Sequence, residues 1–371
     1  MRFGFINHYL NVRLIQEQLG RVGLPFVPEK MVEQVMPYLP PRRSVELGPL
    51  TSLCRAQTAG IGIVVPLLPY HFLTLPASRV IKKVTQAVKM AKGWGAEIVG
   101  LGGFTSICCD EGAEIADDVS VALTSGNTLT AVLAIDGIRH AAKIMGLNLK
   151  ASHLSVIGAT GDIGSICTRI LAKQVKTVTL CARNEERLHK LAEELSARNL
   201  AEINVNSRVK EAIRDADLVL SCTSALTTVI EPQSLKPGAI VCDVAYPADV
   251  GRDLREHRND VLVFEGGLTT FPDPLCKGAT FLNHFAPAGM IHGCLAETIV
   301  LSLENRRENF SMGRGKITEE KISEMRIMAD RNGFSLAPFY YNGATYSIEE
   351  LDRIASRARD MRAVVSGGRQ Y

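Results

Sequence analysis

Two features of this sequence carry residue types and spacings that could do chemistry. The first is Leu154-Ser155-Val156-Ile157-Gly158-Ala159-Thr160-Gly161-Asp162-Ile163-Gly164-Ser165, an apolar run ending in glycines spaced Gly158-x-x-Gly161-x-x-Gly164. The first glycine permits a tight turn, the second lets backbone approach a pyrophosphate, and the third lets helix and strand pack closely. Phosphates would sit on the N–H groups at the start of the following helix. Three spaced glycines alone also suit an ordinary strand–loop–helix turn. The expected cradle is Gly158, Ala159, Thr160, Gly161, Asp162, Ile163 and Gly164. The next apolar run ends Leu180-Cys181-Ala182-Arg183-Asn184. An arginine stands there where an acid would hydrogen-bond a ribose hydroxyl, and a guanidinium suits a 2′-phosphate. Ala182, Arg183 and Asn184 therefore point to NADP(H), with Thr223, Ser224 and Ala245 at the ends of later strands completing the expected nucleotide set.

The second feature is Cys294. It follows Gly293 at the apparent start of a helical run through Leu295, Ile299, Val300 and Leu303. In a first helical turn the dipole favours thiolate. A thiolate accepts acyl groups, and a thioester accepts hydride. Spacing alone leaves a packed small residue as the plainer reading. His284 and His292 are possible acid/base partners, each more simply structural.

The chain has nine cysteines. None forms a C-x-x-C pair, and no Cys/His cluster has zinc spacing. Cys181, Cys222 and Cys242 lie in apolar runs and read as small buried hydrophobes. The adjacent pair Cys108-Cys109 suits neither a disulfide nor a metal. Asp110, Glu111, Asp117 and Asp118 read as a solvated acidic patch. No Ser/His/Asp spacing stands out.

Helices and strands must position these groups. From Leu154 onward strand and helix alternate, with strands expected at 154–157, 177–182, 203–205, 217–223, 239–245 and 261–264. A helix is expected at 185–197. Near-continuous apolar strands between helices imply a parallel sheet buried on both faces, which binds its ligand at the carboxyl ends of the strands. Upstream, residues 78–95 repeat near a 3.6 period and close on Gly93 and Gly95, and a strand then runs into Gly102-Gly103. A long helix follows Ser125-Gly126-Asn127, with Ser125 or Asn127 as its cap. The prolines before residue 80 suggest short strands and loops. Ile61 to Leu75 could line a tunnel for an acyl chain, though a core or interface role is plainer. Further helices are expected near 318–331 and 348–362.

The expected class is therefore α/β: a Rossmann-type doubly wound parallel sheet, an N-terminal α/β substrate domain and a C-terminal helical segment. The expected boundaries are 1–149, 150–285 and 286–371. With 371 residues, 46% apolar, the chain can build a full core. A net charge of +3 suggests no nucleic-acid partner. The N-terminus lacks a signal-peptide pattern, and Pro66 and Pro69 break the most apolar stretch, so a cytoplasmic protein with at most peripheral membrane contact is expected.

Several segments resemble the long-chain acyl-[acyl-carrier-protein] reductases best known from cyanobacteria. They are Phe3-Gly-Phe-Ile-Asn-His8, Leu101-Gly-Gly-Phe-Thr-Ser-Ile107, Ser125-Gly-Asn-Thr128, the glycine turn with Ala182-Arg-Asn184, Gly266-Gly267, Cys294 with Ala296-Glu297, and Asn309-Phe-Ser-Met-Gly-Arg314. They occur in family order across residues 1–338. Leu101–Ile107 and Asn309–Arg314 are the most specific. The resemblance implies NADPH-dependent reduction of a fatty acyl thioester to the aldehyde, with Cys294 as nucleophile. Cys294 would take the acyl group from acyl carrier protein or coenzyme A. Hydride from NADPH would then reduce the enzyme thioester, and the hemithioacetal would collapse to aldehyde. Cys294 would face the nicotinamide across a cleft, and a downstream aldehyde-consuming enzyme is a possible partner. The segment between Gly267 and Cys294 departs from the family pattern, His292 matches no family residue, residues 9–75 match weakly, and the tail after Phe339 is additional. Two other readings remain. One is an NADP-dependent dehydrogenase of the shikimate-dehydrogenase type without covalent catalysis, and the other is an NADP-sensing binding protein.

Overall fold

The computed structural model describes residues 1–13, 15–16, 27–282 and 285–367. Its main strands are β1 (Arg2–His8), β2 (Arg42–Thr51), β3 (Gln57–Val65), β4 (Ile98–Leu101), β5 (Ala122–Thr124), β6 (His153–Ile157), β7 (Thr177–Cys181), β8 (Glu202–Val205), β9 (Leu218–Ser221), β10 (Ile240–Asp243) and β11 (Leu262–Glu265). Its longer helices are α1 (Ala77–Trp94), α2 (Asn127–Ile144), α3 (Asp162–Leu171), α4 (Glu185–Ala197), α5 (Gly293–Leu303), α6 (Glu319–Asn332) and α7 (Ile348–Gly367). The chain divides into two compact units. The first comprises Met1–Leu129, Thr269–Lys316 and Glu324–Ser335; the second comprises Thr130–Leu268, Ile317–Ser323 and Leu336–Tyr371.

The first unit is built on a five-stranded sheet in the order β2-β3-β1-β4-β5. β1 runs parallel to both β3 and β4, while the edge strand β2 is antiparallel to β3. β2 and β3 are longer than the prolines before residue 80 suggest. Pro49 is tolerated because it falls on the sheet edge, where the register slips between Leu47 and Leu50. Ile61, Ile63 and Val65 on β3 are buried, so this part of the apolar run is core. α1 buries Val80, Val84, Ala87, Val88 and Ala91, and Gly95 ends it in the left-handed conformation a glycine adopts without strain. α5 is apolar almost all round and nearly wholly buried, as a helix threaded through a core must be. It crosses β4 so closely that a Cβ on Gly100 would overlap the Thr298 hydroxyl.

The second unit carries six parallel strands in the order β11-β10-β9-β6-β7-β8. This is the doubly wound order, with β6 leading and the switch point between β6 and β9. β6, β9 and β10 are buried along almost their whole lengths, which is why their sequences are near-continuous apolar runs. The segment after Phe339 is seated on this sheet: Phe339 stacks on Phe264 at 4.4 Å, and the Tyr346 hydroxyl donates to the Val263 carbonyl at 2.8 Å. Among the described residues no helix is long and apolar enough to cross a membrane.

Candidate active site and nucleotide cradle

Cys294 is the second residue of α5, immediately after the helix start at Gly293. Gly126, at φ +76°, lies directly against it: a Cβ on Gly126 would fall 2.6 Å from Cys294 Cβ and 2.7 Å from its carbonyl oxygen. The Thr298 hydroxyl donates to that carbonyl at 2.9 Å. The residue keeps partial exposure. Burial nevertheless pushes its thiol up to about 11. The amides of Leu295 and Cys294 pull the other way, as expected at a helix start, and the Glu297 carboxylate raises it further. The resting group is therefore a thiol, whereas the helix dipole taken alone suggests a thiolate. Removing the thiolate from water costs more than the dipole returns.

Glu297 is fully buried one turn further along α5. It accepts hydrogen bonds from the Thr124 hydroxyl, from the Leu129 amide at 2.7 Å and from the Ser311 hydroxyl at 2.5 Å. Three donors to one side chain suit an acceptor-only carboxylate. This answers how α2 begins. The Ser125 hydroxyl donates to the Ser311 carbonyl at 2.8 Å, and the Asn127 side chain donates to Glu111 at 3.1 Å. Two early amides of α2 go to Glu297 (from Leu129) and to Ser311 Oγ (from Thr128, at 3.3 Å).

The segment around Ser311 extends β5: the Asn309 side chain accepts from the Leu123 amide at 2.8 Å, and the Phe310 amide donates to the Leu123 carbonyl at 3.1 Å. Glu111 is buried with its backbone at φ +55°, so it does not belong to a solvated acidic patch; its partner Asn127 draws it inward, while Asp117 and Asp118 are exposed. His8, at the end of β1, is buried against Phe72 and Phe104. Its Nδ1 meets the Tyr9 carbonyl at 2.9 Å and its Nε2 accepts from the Phe104 amide at 3.3 Å, so it is a neutral structural histidine, held down to about 4 by burial. The motifs at 3–8, 101–107, 125–128 and 309–314 thus converge on α5.

His292 precedes α5. Burial lowers its pKa, and its Nε2 contacts the Phe285 carbonyl at 2.8 Å. A carbonyl only accepts, so Nε2 carries the proton and Nδ1 the lone pair. His284 lies outside the described residues. Cys108 and Cys109 are free thiols with sulfurs 3.5 Å apart. Among the described residues no cluster of His, Cys, Asp and Glu could hold a metal. Sequence reading assigned no role to Glu297 or Ser311. The one available signal was a glutamate standing three residues after Cys294 inside an otherwise apolar helix.

In the second unit the glycine turn connects β6 to α3. Gly158 has φ +86°, and a Cβ there would strike the Cys222 carbonyl at 2.6 Å. A Cβ on Gly164 would collide with the Gly158 carbonyl, so the third glycine allows the close helix–strand approach. Beside Gly161 a Cβ would meet only the Gly158 carbonyl, at 3.2 Å, leaving that side open to a ligand. The Gly158 and Ala159 amides donate to the Cys181 carbonyl, which ties the turn to β7. Asp162 opens α3 and is buried, and Ile163 and Thr160 border the same turn. This geometry fits a dinucleotide pyrophosphate at the start of α3. Arg183 is exposed just beyond β7, next to Ala182, while Asn184 caps α4 by accepting from the Arg187 amide at 2.9 Å. Thr223 turns its hydroxyl and amide to the buried Asp249, at 2.5 and 3.0 Å. The Ala245 amide donates to Asp243 at 3.0 Å. These two carboxylates fix the loops at the ends of β9 and β10, with Ser224 following Thr223. Burial beside Asp249 holds the Asp243 carboxyl well above the usual range.

Comparison with known proteins adds to this geometry. The family described as Shikimate / quinate 5-dehydrogenase matches residues 139–265, within the second unit. The chain is 31% identical over 368 residues to aminotransferase PigE of Serratia sp. (strain ATCC 39006), covering 95% of this chain and 41% of that protein. The chain thus spans about two-fifths of that relative's length. It is 29% identical over 344 residues to the long-chain acyl-[acyl-carrier-protein] reductase of Synechococcus elongatus, covering 90% of this chain and 98% of that protein. Over 131 residues it is 31% identical to the NADP(+) shikimate dehydrogenase of Methanosarcina mazei, 33% of this chain and 46% of that one. Family match and homologues together indicate a nicotinamide-dependent oxidoreductase with a Rossmann-type fold.

Proposed function

We propose that the protein reduces a long-chain fatty acyl thioester to the aldehyde, using NADPH and an acyl-Cys294 intermediate. The observation that carries this reading is Cys294 itself, in the first turn of a buried helix, with the Gly126 backbone closed against it. The likeness to the S. elongatus reductase along 98% of its length supports it. The acyl donor is acyl carrier protein or acyl coenzyme A, and an aldehyde-consuming enzyme would take the product.

Cys294 Sγ attacks the thioester carbonyl, the donor's C–S bond breaks, and the donor leaves as a thiol carrying the proton that Cys294 gives up. Because burial keeps Cys294 protonated at rest, that proton must leave as attack begins. The first-turn amides of α5 favour negative charge on sulfur as it develops. When bound at the start of α3, the reduced dinucleotide supplies hydride. Arg183 beyond β7 is suited to a 2′-phosphate, which favours NADPH over NADH. Reduction of the Cys294 thioester, with one proton taken up from solvent, gives a hemithioacetal, whose collapse releases aldehyde and restores the thiol.

The test is an intact mass measured after incubation with acyl carrier protein or coenzyme A thioesters and no dinucleotide. A single acyl adduct, absent in Cys294→Ala, is expected. No adduct, or one that survives the substitution, would sink the proposal. The family match over 139–265 favours a second reading, direct hydride transfer of the shikimate-dehydrogenase type. In that case Cys294→Ser would leave turnover largely intact.

A further inference from the structure

The buried Glu297 carboxylate receives three hydrogen bonds, and nothing in the chemistry above uses it. It is fully buried on α5, three residues after Cys294. Its three donors come from three different places: Thr124 at the end of β5, Leu129 in the first turn of α2, and Ser311 beside β5. Ser311 is itself bonded to the Thr128 hydroxyl at 2.5 Å, and its carbonyl receives the Ser125 amide at 3.0 Å. Gly126 sits in the middle of this set, with its backbone against Cys294.

We propose that Glu297 is a positioning residue for Cys294: it pins the 124–129 segment to α5 so that Gly126 closes on the nucleophile from a fixed distance. The proposal rests on the acyl-Cys294 reading. An apolar side chain at 297 could fill the same volume, but it would take the acceptor from the Thr124 hydroxyl and from a helix-start amide, both buried. A carboxylate satisfies all three at once. The acceptor of the Leu129 amide lies 168 residues away, which ties the 127–129 start of α2 to the Cys294 helix.

The test uses the full chain with Glu297→Gln, which keeps the shape and loses the charge, in a Cys54→Ser background so that the exposed Cys54 does not mask the signal. Two readouts are taken: steady-state kinetics with an acyl thioester, and the pH profile of Cys294 alkylation by iodoacetamide, followed by mass. Misplacing a reacting atom lowers kcat more than it raises KM. The expected result is kcat lower by about tenfold or more with KM within about twofold, together with an alkylation midpoint shifted to lower pH. Wild-type kcat and a wild-type alkylation profile in the folded variant would overturn the proposal. If Glu297→Gln does not fold, Thr124→Val and Ser311→Ala each remove one donor and take its place. Folded single-donor variants with unchanged kcat and alkylation would equally overturn it. The two proposals fail separately. An absent acyl adduct with the alkylation shift intact would remove the acyl reading and leave Glu297 as the residue that sets the thiol.

Discussion

The backbones of Gly126 and Cys294 meet without a side chain between them, and Gly126 holds φ +76° to let them. Alanine at 126 therefore faces two penalties, a left-handed backbone and an overlap with Cys294. Each typically costs about 1–3 kcal/mol. Gly126→Ala is expected to lose roughly 3 kcal/mol in urea denaturation and to lose Cys294 acylation. A loss below about 1 kcal/mol with normal acylation would show that the segment can yield.

Thiol chemistry should separate two cysteines sharply. Cys54 is exposed, and its pKa is lowered by hydrogen bonding from Ser52 and the Ala56 backbone. Cys294 is raised to about 11 by burial. At pH 7 iodoacetamide should label Cys54 first. Cys294 labelling should rise about tenfold per pH unit until pH approaches its pKa. Peptide mapping after timed quenching checks the order, and equal rates at pH 7 would contradict the buried-thiol description.

Glu265, at the end of β11, is raised to about 7 by burial, against the pull of the Asn342 amide and Arg252. Its folded pKa lies above the unfolded one, so the fold binds more protons between about pH 4.5 and 7, and stability falls as pH rises through that window. Above pH 7 the ionised group costs on the order of 3 kcal/mol. Glu265→Gln should therefore unfold at higher urea than wild type at pH 8, and without gain at pH 4. An equal gain at both values would assign the effect to packing.

Arg183 lies exposed beyond β7 with no acid in the ribose position. Arg183→Ala should weaken NADPH binding by about tenfold to a hundredfold, the loss of one charge-assisted contact. NADH binding should hardly change. Dinucleotide fluorescence titration reads both, and a parallel loss of the two would place the arginine's role in the fold.

The doubly wound half was legible because each strand is a short apolar run closed by glycine or a polar turn. Helix 185–197 was expected where α4 lies. The six expected strands agree with β6 to β11 within two residues at either end. β2 was harder to see. Most of its residues are not fully buried, a proline interrupts it and two register slips break its alternation. At the site, Cys294 announced itself by residue type and by its place after Gly293. Glu297, Ser311 and the distant acceptor of the Leu129 amide did not, because hydrogen bonds spanning more than 160 residues leave no local period. Nor did residue type alone show that the Ser125 hydroxyl reaches the Ser311 carbonyl and the Asn127 amide group reaches Glu111.

The chain passes between its two units at 129/130, 268/269, 316/317, 323/324 and 335/336. The longest uninterrupted stretch of the nucleotide-binding half is 130–268, yet the residues from 336 onward belong to the same body, where Phe339 and Tyr346 cover β11. A cassette cut at 130 and 268 would strip β11 of that cover. Recombination between relatives, in the laboratory or in evolution, can therefore exchange this half intact only as three pieces of gene, the long internal one at 130–268, a short one at 317–323 and the one from 336 onward. A crossover that carries only the internal piece puts a foreign sheet edge beneath a resident tail.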